Sequence, residues 1–295
     1  MKITLKNKIL FLSIFTLFGF SISGCRPEPQ DTAIKGDLVC YADESLYTMV
    51  KEQRDSFVTL YKQSKISVEK LKAREGIVKM LNGEIRMFVS SRGLNEEESK
   101  FIEKTKSNVR VIKLCFDGLT IIVDTNHAAT RITTTELKQL LLGESRKYKV
   151  IIPDQNSGVY ENLKVELLEN KKPKGAFIVK GEEDVVKSVI KSKNSVGVVG
   201  LNIARESQGI KILRVGTDER SATGGEYIEP AAGYLSNGEY PLIRVCYIFL
   251  NENGIGLGSG FSTFMTFTEG QKIVLAHDLG PATVPIRYNK MTRLK

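Results

Sequence analysis

The chain has 295 residues, 43 Lys and Arg against 34 Asp and Glu, a formal net charge of +9, and 41% hydrophobic side chains. The basic excess contains no block of five like charges, which argues against a nucleic-acid surface. Only two histidines occur, His127 and His277, neither beside a cysteine nor in a zinc-binding spacing, so a zinc centre or a Ser-His-Asp triad is excluded as a leading reading.

The first 24 residues read as a leader. Lys2, Lys6 and Lys8 precede a short apolar run from Ile9 to Phe20, and Ile22-Ser23-Gly24-Cys25 closes it. That order is a secretory signal peptide, and the run is too short to span a bilayer well. Cys25 after Ile-Ser-Gly matches the lipobox of bacterial lipoproteins, so Cys25 is the expected lipidation site; the alternative is an ordinary signal peptide with an incidental cysteine. Removing the leader lysines lowers the net charge to +6. Residues 25–36 then form a proline-bearing tether, and about 260 residues remain, enough for two lobes with a substantial core. The expected location is the cell envelope, lipid-anchored, with the globular part on the periplasmic side.

Lys35–Tyr41 predicts a first strand, and Leu46, Met49, Val50, Phe57, Leu60 and Tyr61 share one helical face. Ile66 to Leu71 predicts a second strand, Ile77 to Leu81 a short helix, and Ile85–Val89 a third strand. Asn95 before three glutamates predicts a helix start, followed by a strand over Val109–Phe116. A turn is predicted at Asp117-Gly118 and a new strand over Leu119–Val123. Thr133 and Glu136 predict a capped helix ending at Gly143. Next come a strand at Lys149–Ile152, a helix through Leu163 and Leu168, a helix through Val185 to Ile190, and strands at Val196–Val199 and Ile210–Val215. Residues 216–240 show no period. Ile243–Leu250 predicts a strand, Phe261–Leu275 one helix, and Val284–Ile286 a last short strand. Strands alternating with helices predict parallel sheet covered by helices.

In such sheets ligands bind beyond the carboxyl ends of the strands, where helix N-termini present backbone N–H groups. Three segments fit: Asp43-Glu44-Ser45, Ser90-Ser91-Arg92, and Asn156-Ser157-Gly158. Their hydroxyls and amides can donate to an oxyanion, and Arg92 offers a planar fork. The plainer reading makes Ser45 and Ser157 helix caps and Arg92 a turn residue. Cys40, Cys115 and Cys246 lie in apolar runs and read as small buried residues, with one disulfide among them open in an oxidising compartment. Gly254 to Gly260 lacks the spacing of a dinucleotide fingerprint and reads as a turn before a helix.

Several motifs in order carry a resemblance. They are Asp117-Gly118 with Ile121-Ile122-Val123, Thr133 to Glu144, Asn156-Ser157-Gly158, Val196 to Gly200, Tyr240-Pro241-Leu242-Ile243-Arg244 with Tyr247-Ile248, and Glu269-Gly270-Gln271 with Ile273-Val274. Together the chain resembles the phosphate-binding lipoproteins of ABC phosphate transporters, over most of residues 36–290. The resemblance implies a two-lobed α/β fold of the periplasmic binding protein-like type II kind, with mixed sheets and two crossover segments. It places lobe 1 at residues 37–117 plus 241–295 and lobe 2 at 118–240. It implies capture of inorganic phosphate by Ser45, Ser90, Ser91, Arg92, Asn156, Ser157 and Gly158, delivery to ABC permease subunits, a monomer, no enzymatic step, and no cofactor or metal.

The sequence departs from that family at the site. Val159 replaces a threonine after Ser-Gly, Pro153 stands near the place of an arginine, and Ala42-Asp43-Glu44-Ser45 replaces a Gly-Ser-rich first loop. Arg92 lies near the position of a carboxylate that accepts the proton of monohydrogen phosphate; Asp43, Glu44 and Asp154 are the substitutes available. The rival function is a sensor or interaction lipoprotein of the same fold that has lost or changed oxyanion binding. A weaker rival is an envelope hydrolase using Ser157 or Ser91.

Overall fold

The computed structural model describes residues 31–217 and 226–283. The leader, Cys25, the first part of the tether and the strand expected at Val284–Ile286 lie outside the described residues.

The chain begins with β1 (Gly36–Asp43), a 3₁₀ turn (Glu44–Leu46), α1 (Tyr47–Leu60), β2 (Ser64–Leu71), α2 (Ala73–Leu81), β3 (Met87–Ser90) and α3 (Glu96–Thr105). Then come β4 (Val109–Asp124), β5 (Arg131–Thr133), α4 (Thr134–Leu142), β6 (Lys149–Pro153), α5 (Gly158–Asn162), a π turn (Leu163–Leu167), β7 (Ala176–Val179) and α6 (Glu182–Lys191). After them follow β8 (Ser195–Gly200), α7 (Leu201–Glu206), β9 (Ile210–Ile212), β10 (Arg214–Gly216) and α8 (Ala232–Ser236). The described chain closes with β11 (Ile243–Asn251), α9 (Leu257–Thr266), α10 (Thr268–Ala276) and β12 (Gly280–Pro281).

The main sheet runs β2-β1-β3-β11-β4-β8-β6-β7. Strand β4 belongs to two half-sheets. Its first ten residues pair antiparallel with β11, and Leu119–Ile122 pair antiparallel with β8. Within each half the neighbours β1–β2, β1–β3, β6–β7 and β6–β8 are parallel. Such strands are covered on both faces and read as continuous apolar runs; every residue of β8 is buried. In the first half α1 lays Met49, Val50 and Phe57 onto the sheet, with Phe57 edge-on to Phe261 at 5.3 Å. In the second, Val185, Val186 and Val189 of α6 pack on Ile122, Ile151 and Val199. This is the two-lobed architecture expected from the sequence.

Three local expectations are corrected. The chain does not turn at Asp117-Gly118: β4 is one strand of 16 residues. The Asp-Gly pair stays extended because β11 runs alongside it, with Arg244 opposite Asp117 and Ile243 opposite Gly118. The single helix expected over Phe261–Leu275 is two, α9 and α10, divided at Phe267, whose backbone is extended. Gly270 makes this break compact, since a side chain there would collide with the Phe264 and Met265 backbone. The strand expected over Ile210–Val215 splits at Leu213, because β9 stays on β4 while β10 leaves to pair with β5. Strand β7 and helices α7 and α8 had no expectation; each is short enough that its period is invisible.

Candidate functional site

The carboxyl ends of β1 and β3 meet the helix starts of the second half. Asp43 ends β1, and its Oδ2 accepts hydrogen bonds from the backbone N–H of Ser91 (3.3 Å) and from the Ser91 hydroxyl. Both side chains are buried. Gly158, the first residue of α5, arrives at this pair from the other half-sheet. A methyl group on Gly158 would overlap Ser91 Oγ and come within 2.9 Å of Asp43 Oδ2. The approach is therefore one that only glycine permits. Asn162, one turn on, donates to the carbonyls of Ser91 (3.0 Å) and Gly158 (2.7 Å), which ties the halves together. Beside it the backbone N–H of Arg74 donates to the Asn156 carbonyl at 3.0 Å.

A second cluster lies alongside. Ser45, in the turn after β1, donates to Oε1 of Glu182, the first residue of α6. The other Glu182 oxygen accepts from the Gly200 N–H at 2.6 Å. Arg244 on β11 donates through Nη2 to Ser45 Oγ (2.7 Å), and through Nε and Nη2 to Asp117 Oδ2 (2.9 and 2.6 Å). The remaining oxygen, Asp117 Oδ1, accepts from Gly118 N–H and from Leu201 N–H at the start of α7. Arg244 Nη1 is buried with no hydrogen-bond partner among the described residues.

The electrostatics follow from burial. Burial pushes the Glu182 carboxyl up to about 7; Arg244 opposes this and the nearby Asp43 charge adds to it. Glu44 is also raised, first by burial and then by Asp43, and its carboxylate accepts from the Glu182 N–H at the start of α6, where negative charge is favoured. Desolvation works against the Arg244 charge, but Asp117 and Glu182 outweigh it and hold the guanidinium above its ordinary value. Outside the cluster a cavity of about 260 Å³ opens between the halves, lined by Lys70, Lys72 and Lys180 together with Glu44, Glu182 and Glu183. Lys72 bridges the halves by pairing with Asp154 and donating to the Lys180 carbonyl.

The seven residues expected at an oxyanion site divide into two groups. Ser45, Ser91, Ser157 and Gly158 come to the junction between the half-sheets. Ser157 is also the N-cap of α5, accepting from Tyr160 N–H at 3.1 Å and donating to the Asp154 carbonyl at 2.8 Å. Asn156 contributes its backbone, as above. Ser90 and Arg92 face their own loop: Ser90 Oγ accepts from Arg92 N–H, and the Arg92 fork grips both oxygens of Glu98 at 2.7 and 2.8 Å. Glu98 is fixed there because it closes the capping box on Asn95, so it meets the guanidinium before any solute can. Asp117, Glu182 and Arg244 were not expected at the site. Their signal was present, since Asp117 and Arg244 are charges inside otherwise apolar strands, and such charges must be paired when buried.

The chain is thus a two-lobed α/β protein with a polar junction built from the strand ends of both halves. This chain belongs to the PBP superfamily, whose domain model matches residues 27–269. A phosphate-binding protein PstS from Staphylococcus saprophyticus is 27% identical over 227 residues, 71% of this chain and 68% of that one. Among solved structures, a putative phosphate ABC transporter substrate-binding protein with bound phosphate from Clostridium perfringens superimposes with a TM-score of 0.72. It is 17% identical and covers 84% of this chain and 100% of its own. An ABC-type phosphate transport receptor from Vibrio cholerae gives 0.63 at 17% identity, covering 82% and 99%.

Proposed function

We propose that this protein is an extracytoplasmic lipoprotein that captures inorganic phosphate between its lobes and hands it to an ABC permease, without chemistry of its own. Residues 1–24 are then the leader, Cys25 carries the lipid, and the lobes divide at 117/118 and 240/241. The similarity to proteins described as phosphate-binding supports the solute, and the junction supports the mode of binding. The observation that carries the reading is the meeting of Asp43, Ser91 and Gly158. When the anion enters, the Ser91 hydroxyl is released from Asp43 and donates to the oxyanion together with the N–H groups that open α5, while Asp43 accepts the one proton of monohydrogen phosphate. Sulfate, with no proton at neutral pH, would face that carboxylate as a bare anion and be rejected. The unpaired Arg244 Nη1 supplies one more donor.

The second reading keeps the fold and the anchor but makes the protein a sensor or interaction lipoprotein. It is favoured by the way Asp43, Glu44 and Glu182 already occupy the donors at the junction, and by the Arg92 fork being closed on Glu98.

Calorimetry with phosphate, arsenate and sulfate separates the two readings. Binding of phosphate and arsenate but not sulfate, lost in Ser91→Ala, is the outcome expected for capture. Absence of heat with all three anions would overturn it in favour of the second reading.

A further inference from the structure

Glu182, the first residue of α6, reaches from the second half into the first. Its side chain is buried, with 1% of the residue exposed, yet it is held by uncharged donors. The Ser45 hydroxyl donates to Oε1, and the Gly200 N–H donates to Oε2 at 2.6 Å. The Arg244 guanidinium turns Nε and Nη2 to Asp117 and Ser45 instead. Among the described residues Glu182 has no ion pair, and a buried carboxyl in that position favours its neutral form.

Charges of both signs face it from several elements. Asp43 ends β1, Glu44 lies in the turn after it, and Glu183 and Asp184 follow on α6 itself. Asp117 on β4 stands beyond Arg244 of β11. Lys70, Lys72 and Lys180 line the 260 Å³ cavity with Glu182, but Lys70 pairs with Glu183 and Lys72 with Asp154. The Asp43 charge acts on Glu182 while its Oδ2 holds Ser91, so Asp43 links the two clusters. An oxyanion arriving at Ser91 and Ser45 adds negative charge at this place. Once the Ser45 hydroxyl donates to the anion, Glu182 Oε1 loses its hydrogen-bond donor and faces an anion oxygen. Two ionised oxygens repel there; a proton between them turns the contact into an O–H···O hydrogen bond.

We propose that Glu182 takes up one proton from solvent as phosphate enters, and that the resulting neutral carboxyl donates a hydrogen bond to the bound anion. The O–H bond on Oε1 is the one covalent bond formed, and the Gly200 N–H keeps Oε2. This inference rests on the phosphate reading and deepens it. Asp43 accepts the proton of phosphate, neutral Glu182 donates to another oxygen, and capture weakens as the medium becomes alkaline.

The full chain is titrated with inorganic phosphate between pH 8 and 9, where the free anion is already monohydrogen phosphate. Calorimetry in buffers of different ionisation enthalpy counts the protons taken up. The expected count is about one per anion, with affinity falling about tenfold from pH 8 to 9. Glu182→Gln, neutral at every pH, should bind with little proton uptake, a nearly flat pH profile and several-fold higher affinity at pH 9. Infrared difference spectra should show a protonated-carboxyl band on binding in the native protein that the variant lacks. Phosphate binding without proton uptake overturns the coupling and leaves the capture reading intact. Equal uptake in the variant moves the proton to Asp43 or Glu44 and overturns the assignment to Glu182. Loss of binding in a folded variant overturns it too, because a neutral amide offers the anion the same kind of donor. No heat with phosphate in the native protein removes the capture reading and this inference with it.

Discussion

Arg244 and Asp117 lie opposite each other on adjacent antiparallel strands and form an ion pair at 2.6 Å with both side chains fully buried. The pair sits where β4 passes from one half-sheet to the other, and it also orients Ser45 and the start of α7. Arg244→Ala leaves the Asp117 charge buried and unpaired, which costs about 3–5 kcal/mol. Urea unfolding of the variant is expected to show that loss. Arg244→Lys is expected to restore only part of it, because a single ammonium cannot serve Asp117 and Ser45 from a planar fork.

Glu182 gives the fold a pH dependence. Its carboxyl is raised from an ordinary 4.5 to about 7, chiefly by burial. The folded state therefore holds a proton that the unfolded state releases. The stabilisation is complete below pH 4.5 and is lost as pH rises through 7, by about 3 kcal/mol at most. Glu182→Gln removes the titrating group while leaving an oxygen for Gly200 N–H. Thermal unfolding from pH 4.5 to 8 should show a downward slope in the native protein that is shallower in the variant, where Glu44, also raised by burial, supplies the remainder. Equal slopes would mean that Glu182 is charged throughout.

Gly158→Ala places a methyl group against Ser91 Oγ and Asp43 Oδ2. The halves must separate locally to admit it, at a cost of about 1–3 kcal/mol. Phosphate affinity is expected to fall by more than tenfold. Unchanged affinity with unchanged stability would show that the junction has room for a methyl group at position 158.

Asp43→Asn tests discrimination between anions. The amide no longer repels a fully ionised oxyanion, to which its Nδ2 can donate, and its neutral Oδ1 is a weaker acceptor for the phosphate hydroxyl than the carboxylate. Sulfate binding should appear and phosphate binding weaken, reducing selectivity by about 100-fold. Retained rejection of sulfate in calorimetry would move the acceptor role from Asp43 to another carboxylate.

The thiols of Cys40, Cys115 and Cys246 are free and buried in the structure, with Cys115 and Cys246 opposite each other on β4 and β11. Burial raises the Cys40 and Cys246 thiols well above the ordinary cysteine range, and in Cys246 the neighbouring Cys115 adds to it. Thiolate is the reactive form. A thiol reagent is expected to label none of the three in the native protein and all of them in denaturant; rapid labelling of any one under native conditions contradicts this burial.

The elements that the sequence made legible are those with a long period or a strong cap. The helix through Met49, Val50 and Phe57 and the helix opened by Asn95 are where the pattern puts them, because their signals lie within a few residues of one another. The Asp117-Gly118 turn failed for the opposite reason: the local dipeptide favours a turn, but β11, more than 120 residues away, supplies a partner that keeps it extended. Arg92 has the chemistry of an anion fork, but Glu98 reaches it first through the turn of the following helix.

By itself the sequence determined the alternation of strands and helices, the position of the strand-end loops, and the set of residues with chemistry to offer. It did so because hydrophobic period and capping are local properties of the chain. Only the tertiary structure decided which of those loops meet and how each charge is matched. Asp43, Ser91 and Gly158 are brought together by strand order, and Arg244, Asp117 and Glu182 become a buried cluster by the crossing of β4. Pairing and desolvation depend on neighbours that lie far apart in sequence.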